Sequence, residues 1–411
     1  MIERIIAWCA ANRFLVCTAT VALLLWGLWA LGETPLDAVP DISDVQVIVA
    51  TSWDGRSPDL IEDQVTYPIV TALLSTPRVR TVRGFTDFGI SYVYVIFEDG
   101  TDMYWARSRV LEYLQGIRGL LPDGVNPAIG PDATGVGWVF EYALVDETGE
   151  HSLADLRSFQ DWHLRYWLAG VPGVAEVATI GGFVKQYQVN LDPNRLAAYD
   201  LSVKDVVRAI QASNNEVAGR LLEFAGREYM VRSRAYLTSA EDIEQIALGA
   251  DAGGIPVRVA DVAQVRVGPD IRRGVAELDG RGEVVGGIVV MRFGENALGV
   301  IDRVKARLLE VRSSLPPGVT IVPTYDRSTL IRDAIGNLGR TLVEEAVVVS
   351  AVIVLFLFHF RSALIPILVL PIAIVASFVP MYYLGVSANI MSLGGIALAI
   401  GVLVDAAIVM V

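Results

Sequence analysis

Four long apolar stretches, residues 14–31, 342–360, 363–384 and 390–411, bracket an otherwise polar chain. Each is near the roughly 20 apolar residues that an α-helix needs to cross a bilayer. The pattern therefore predicts four transmembrane helices with one large block, residues 34–339, held outside the hydrocarbon. Hydrophobic residues make up 53% of the 411, yet the formal charge is −13, and almost all of that charge is segregated. The first 33 residues are balanced and residues 340–411 carry −1, which leaves −12 on the outer block. A soluble enzyme is a poor fit to this partition. Nucleic acid is not an expected partner, because phosphate binding needs a basic field.

Cys9 and Cys17 both lie at or inside the first apolar run, so the polar block has no disulfide framework. Arg4 and Arg13 precede that run, and His359 with Arg361 links the second run to the third. The positive-inside tendency puts these on the cytoplasmic face and residues 34–339 on the other. Ala30-Leu31-Gly32 loosely resembles a signal-peptidase site, but the run is longer than a usual signal core and ends with Trp26 and Trp29 as interfacial anchors. An uncleaved anchor is expected.

Within the outer block, helix-like segments end in a recurring stop. Thr76-Pro77, Leu121-Pro122, Val171-Pro172 and Pro316-Pro317 each break a helix, and Val79, Val125, Val174 and Val319 open the next segment, in most cases a strand. Four similar stops point to a repeated αβ unit. The first unit reads as strand 45–53, helix 58–76 kinked at Pro68, strands 79–86 and 90–98, and helix 101–121. The second reads as strand 137–146, helix 152–170 and strand 174–181, resuming as strand 284–293, helix 296–315 and strand 319–324. This order predicts two split βαβ (ferredoxin-like) sandwiches, with about 183–270 inserted as a separate module.

The most informative residue for function is Asp405, the sole ionisable group between Asn389 and Val411. A carboxylate inside a spanning helix costs about 2.5–3.5 kcal/mol on insertion scales, which marks it as a functional candidate. At about 100° per residue, Gly394, Leu398, Gly401 and Asp405 fall within about 60° of one another, so the acid shares a face with two glycines that admit a neighbouring helix. Asp405 is read as a proton relay, with a permanent ion pair as the alternative. Glu344 and Glu345 form an acidic pair at the outer end of the second run. His151 and His163, twelve apart, lack zinc-ligand spacing. Thioether sulfur favours Cu(I) and Ag(I). Met391 and Met410 are too far apart to share a site, at roughly 28 Å along one helix, and are read either as separate stepping stones for a soft ion or as packing residues.

Several blocks together resemble the resistance–nodulation–division (RND) superfamily, in particular its heavy-metal efflux pumps: Asn12–Leu15 (NRFL), Thr34–Val47 (TPLDAVPDISDVQV), Asp63–Pro68 (DQVTYP), Ser91–Asp102 (SYVYVIFEDGTD), Tyr104–Tyr113 (YWARSRVLEY), Gly130–Trp138 (GPDATGVGW), Asn389–Ala397 (NIMSLGGIA) and Val404–Ile408 (VDAAI). The resemblance covers the whole chain. In divalent-cation pumps of this family a second acid precedes the relay aspartate by six residues. Ala399 occupies that position here, similar to the copper(I)/silver(I) branch, whereas Leu403 stands where that branch often has methionine.

The resemblance implies a secondary active proton/metal antiporter rather than an enzyme, with no cofactor. It implies a homotrimer in a bacterial inner membrane that joins a periplasmic adaptor and an outer-membrane channel. On this reading residues 1–33 are the cytoplasmic N-terminus and first transmembrane helix, 34–135 the first porter subdomain, 136–182 with 271–330 the second, 183–270 a docking module, and 331–411 transmembrane helices two to four. The run to Val411 is then an incomplete helix, and the chain the N-terminal half of a duplicated transporter. A divalent-cation pump for zinc, cobalt or cadmium is the alternative, and a multidrug relative a more distant one.

Overall fold

The computed structural model describes residues 2–215, 218–232, 236–250, 253–272, 274–357 and 360–410. His359 and Val411 lie outside these. The chain forms two compact units, one of residues 1–148, 160–179 and 286–411, the other of residues 149–159 and 180–285. Strands are numbered in chain order.

The larger unit holds two four-stranded sheets. In the first, β1 (Gln46–Ser52), β2 (Val79–Asp87), β3 (Ile90–Phe97) and β4 (Ala128–Ile129) lie in the order β2-β3-β1-β4. The second has the order β14-β5-β13-β6, from β5 (Trp138–Asp146), β6 (Val174–Gly181), β13 (Val285–Met291) and β14 (Val319–Asp326). Both orders are those of a split βαβ sandwich, with the first and third strands central.

Alternation along the strands explains the first layer. Val47 and Val49 on β1, and Val93, Val95 and Phe97 on β3, point to one buried face. The covering helices present Ile61, Val65, Ile69 and Leu73, and Met103, Ala106, Val110, Leu114 and Ile117, at three- and four-residue spacing. The Met103–Ile117 helix starts two residues later than its sequence pattern predicts, because Asp102 caps it by accepting from the Trp105 N–H at 2.7 Å.

The kink expected at Pro68 takes a specific form. Helix Pro58–Ile61 widens into a π-turn over Glu62–Thr66 before resuming as Tyr67–Leu73. The wide turn relieves the ring clash that proline causes inside an α-helix. Thr66, buried within it, hydrogen-bonds the hydroxyls of Thr86 and Ser91 at 2.8 and 2.7 Å. The second sandwich carries a matching π-turn at Gln160–Leu164 although no proline is present. There the buried Gln160 Oε1 accepts from the Tyr142 hydroxyl at 2.9 Å.

Helices occupy all four apolar stretches: Arg13–Glu33, Arg327–Leu357, Phe360–Tyr383 and Ile390–Met410. Among the described residues, Arg13–Glu33 is the one helix long and apolar enough to cross a membrane, and Leu368–Tyr383 and Ile390–Ala399 are shorter apolar helices. The Arg327–Leu357 helix begins fifteen residues before its apolar run and follows β14 without a loop. Hydropathy marks where lipid could begin; the helix itself starts where the strand ends. Arg13–Glu33 packs on Phe360–Tyr383 through Gly27, where an added Cβ would fall 2.4 Å from the Val375 carbonyl oxygen. Trp29 and Trp26 stack edge-on with Tyr382 and Tyr383 at 4.9 and 5.9 Å.

In the smaller unit, β7 (Lys185–Leu191) pairs antiparallel with β12 (Ala263–Pro269), β8 (Ala218–Phe224) with β9 (Arg227–Arg232), and β10 (Ala247–Ala250) with β11 (Pro256–Arg258). Capping boxes at Ser202/Asp205 and Ser239/Asp242 start two of its helices. Hydrogen bonds from Lys185 and Ser152 hold the Asp155 carboxyl at about 2, below its ordinary 3.8. A depressed carboxylate stabilises the fold above its unfolded value and loses that contribution as pH falls through the folded one. The Asp155–Lys185 pair is half-exposed, so its worth after solvent screening is about 0.2–1 kcal/mol. In melts of the full-length protein, Asp155→Asn is expected to differ from wild type at pH 6 and to converge with it progressively as pH falls from about 5 to about 1. A difference at pH 2 as large as that at pH 6 would contradict this assignment.

Candidate functional site

The helix that carries Asp405 starts at a dense polar cap. Asn389, 4% exposed, accepts from the Met391 and Ser392 N–H groups at 2.9 and 3.0 Å through its side-chain oxygen, while the Ser392 hydroxyl accepts from the Asn389 N–H at 2.9 Å. This reciprocal cap satisfies donors that a helix start otherwise leaves open. The Ser392 hydroxyl also donates to the Ser387 carbonyl at 2.8 Å.

The segment just before the cap is strapped to the segment that leaves the first helix. Thr34 ends Arg13–Glu33 by donating its N–H and its hydroxyl to the Ala30 carbonyl, at 2.9 and 2.7 Å. Leu36 and Ala388 then form a parallel bridge. Its bonds run from Ala388 N–H to Pro35 O at 2.9 Å, Asp37 N–H to Ala388 O at 3.1 Å and Ile390 N–H to Ala38 O at 3.3 Å.

Asp37, inside this strap, faces Arg327, the first residue of the long helix after β14. The Arg327 Nη2 lies 2.8 Å from Asp37 Oδ1, close but not aligned as a hydrogen bond, while its Nη1 donates to the Val136 carbonyl at 2.5 Å. Burial raises the Asp37 carboxyl above the usual range, and the Arg327 charge opposes that rise. The residue immediately before Arg327, Asp326, accepts from the Ser328 N–H at 3.0 Å and its hydroxyl at 2.7 Å, and pairs with Lys305. Burial works to raise Asp326, but these bonds and the Lys305 charge hold it below 3.8. Lys305 also donates to the Ser328 hydroxyl at 2.8 Å, which ties the start of the long helix to helix Ala297–Val311.

Asp405, Gly401 and Met410 lie on the Ile390–Met410 helix, but their side-chain surroundings fall outside what the structure describes. Gly394 has nothing among the described residues within 4 Å of an added Cβ, and Ala399 is exposed. Met391 is 71% exposed at the helix start, whereas Met103 and Met291 are core residues. Among the described residues, no three His, Cys, Asp or Glu side chains cluster as metal ligands would. Asp37, Arg327 and the Asn389 cap were not singled out by sequence reasoning. The Thr34–Val47 and Asn389–Ala397 blocks contain Asp37 and Asn389, but nothing in the spacing joins either block to residue 327.

The model of the AcrB/AcrD/AcrF family matches residues 5–411. The chain is 57% identical over 411 residues to the cation efflux system protein CusA of Escherichia coli K12, covering all of this chain and 39% of that protein. It is 55% identical over the same span to a second cation efflux system protein, SilA of Salmonella typhimurium, again covering all of this chain and 39% of that protein. Against the cobalt-zinc-cadmium resistance protein CzcA of Cupriavidus metallidurans the identity is 40% over 418 residues, covering 100% of this chain and 39% of that protein. The fold is similar to a crystal structure of a heavy metal efflux pump, with a TM-score of 0.87 at 30% identity, over 98% of this chain and 40% of that one. The chain thus spans about two-fifths of the length of these relatives.

Proposed function

The chain belongs to the AcrB/AcrD/AcrF family, and on that premise we propose that it is the N-terminal part of a proton-driven efflux pump for copper(I) and silver(I). The observation that carries this reading is the gradient of similarity: 57% identity to the cation efflux protein CusA, against 40% to a relative named for cobalt, zinc and cadmium. Ala399, where an acid is expected in divalent-cation pumps, points the same way.

On this reading all four apolar helices cross the inner membrane, and Asp405 takes up a proton from the periplasmic side and releases it inward. A carboxylate at that depth is costly as an anion, so its protonation state can bias the conformation of the helix around it. Met391 and Met410 offer soft sulfur at two depths for a monovalent ion. The two split βαβ layers, 34–135 and 136–182 with 271–330, act as porter subdomains, and 183–270 as the docking module. The working form is a homotrimer bound to a periplasmic adaptor and an outer-membrane channel.

The test is metal tolerance in cells that lack their own exporters and express the full-length protein with its adaptor and channel. Tolerance to silver and copper should rise several-fold, with zinc, cobalt and cadmium unchanged. Protection against zinc without protection against silver would replace this reading with the divalent one.

A further inference from the structure

We propose that Asp37 and Arg327 are positioning residues that, with the Leu36–Ala388 bridge, form a joint making the start of the Asp405 helix move together with the porter strands. This rests on the relay reading of Asp405.

Five attachments meet within Thr34–Ala38. Thr34 closes the first apolar helix, the backbones of Pro35, Asp37 and Ala38 hold residues 388–390, and the Asp37 carboxylate faces Arg327. Arg327 also holds the Val136 carbonyl, two residues before β5, and follows directly on β14. β14 and β5 are paired neighbours from Val319↔Asp146 to Asp326↔Phe140. A shift of the Ile390–Met410 helix along its axis therefore pulls on backbone hydrogen bonds to the strap. From the strap, the charged contact leads to the edge strand of the second sheet. The covalent route from Ile390 back to β14 instead runs through two whole helices.

The two halves of the joint differ in kind. The backbone bridge is a set of ordinary hydrogen bonds that no side-chain change removes. The side-chain contact from Asp37 to Arg327 is a single, largely buried pair, with the Arg327 side chain 5% exposed and that of Asp37 16%; Thr134 adds a separate link by donating to Asp41 at 2.6 Å. A cavity of about 400 Å³ adjoins it, lined in part by Ala38, Val136, Trp138, Tyr325 and Arg327. Neutralising either partner should leave the helix cap and strap in place while releasing the sheet from them.

The experiment uses the full-length trimer in proteoliposomes, with silver nitrate as the probe. Asp37→Asn and Arg327→Gln should each lower silver-triggered proton movement at least tenfold, with trimer elution and silver binding unchanged. The double variant should be no worse than either single one, as expected of two groups acting as a unit. Proton movement within twofold of wild type in Asp37→Asn, or losses that multiply in the double variant, would overturn the joint. Should Asp37→Asn fail to assemble, Arg327→Lys takes its place: it keeps the charge but loses the planar fork that reaches Val136. A fall of threefold or more then supports the joint, and an unreduced rate overturns it. Asp405→Asn serves as the control. If it transports normally, the relay reading itself fails; if it is silent while Asp37→Asn is normal, only the joint fails.

Discussion

Asp405→Asn in the full-length protein is expected to abolish silver and copper resistance without loss of the folded trimer. Asparagine is nearly isosteric with a protonated aspartate and removes a charge from an apolar stretch of helix, so the variant should assemble at least as well as wild type. What it loses is the ability to bind and release a proton. If the conformational cycle depends on that step, no compensating residue is available between Asn389 and Val411, where nothing else is ionisable. Resistance should fall to that of cells without the pump, with the variant present in the membrane at normal abundance. Unchanged resistance would remove Asp405 from the relay role.

Gly27→Val is expected to destabilise the contact between the first apolar helix and Phe360–Tyr383 by about 3 kcal/mol, the upper range for overpacking. The reason is that the atom in the way belongs to backbone: an added Cβ meets the Val375 carbonyl oxygen at 2.4 Å and its carbonyl carbon at 2.8 Å. No rotamer change relieves that, so the helices must separate, and the edge-on pairs Trp29–Tyr382 and Trp26–Tyr383 separate with them. Gly32→Val on the same helix is the internal control, since nothing lies within 4 Å of its added Cβ. Melting of the detergent-solubilised full-length protein should show a large drop for the first and a small one for the second. Equal drops would mean that helix propensity, not packing, sets the effect.

Much of the fold was legible because the two periodicities are cleanly separated along the chain. Strand alternation in Ser91–Phe97 and three-to-four spacing in Met103–Ile117 both project onto one buried layer, and proline stops mark where one pattern gives way to the other. The second π-turn was not legible: at Pro68 the residue itself signals an irregular helix, whereas Gln160 carries no local cue and is defined by a hydroxyl on β5. The early start of Arg327–Leu357 was hidden for a related reason. Its first turns are polar on the surface and are held by Asp326, Ser328 and Lys305, contacts that hydropathy does not register.

The candidate site divides in the same way. Asp405 stands out from sequence because a lone acid in an apolar run is anomalous by composition alone. Asp37 and Arg327 are each ordinary in their surroundings, and their meaning comes from a pairing across 290 positions that only the folded chain brings within 2.8 Å. Gly394 shows the converse. Its spacing to Gly401 and Asp405 is evident in the sequence, yet nothing among the described residues packs on it here.

The central claim, that metal export is driven by protons passing Asp405, is tested most directly by proton movement in proteoliposomes that hold the full-length protein and a pH-sensitive dye. Addition of silver(I) should accelerate collapse of an imposed proton gradient in wild-type vesicles. Zinc(II) should not, and Asp405→Asn vesicles should respond to neither. Collapse at the wild-type rate in the Asp405→Asn vesicles would contradict the account.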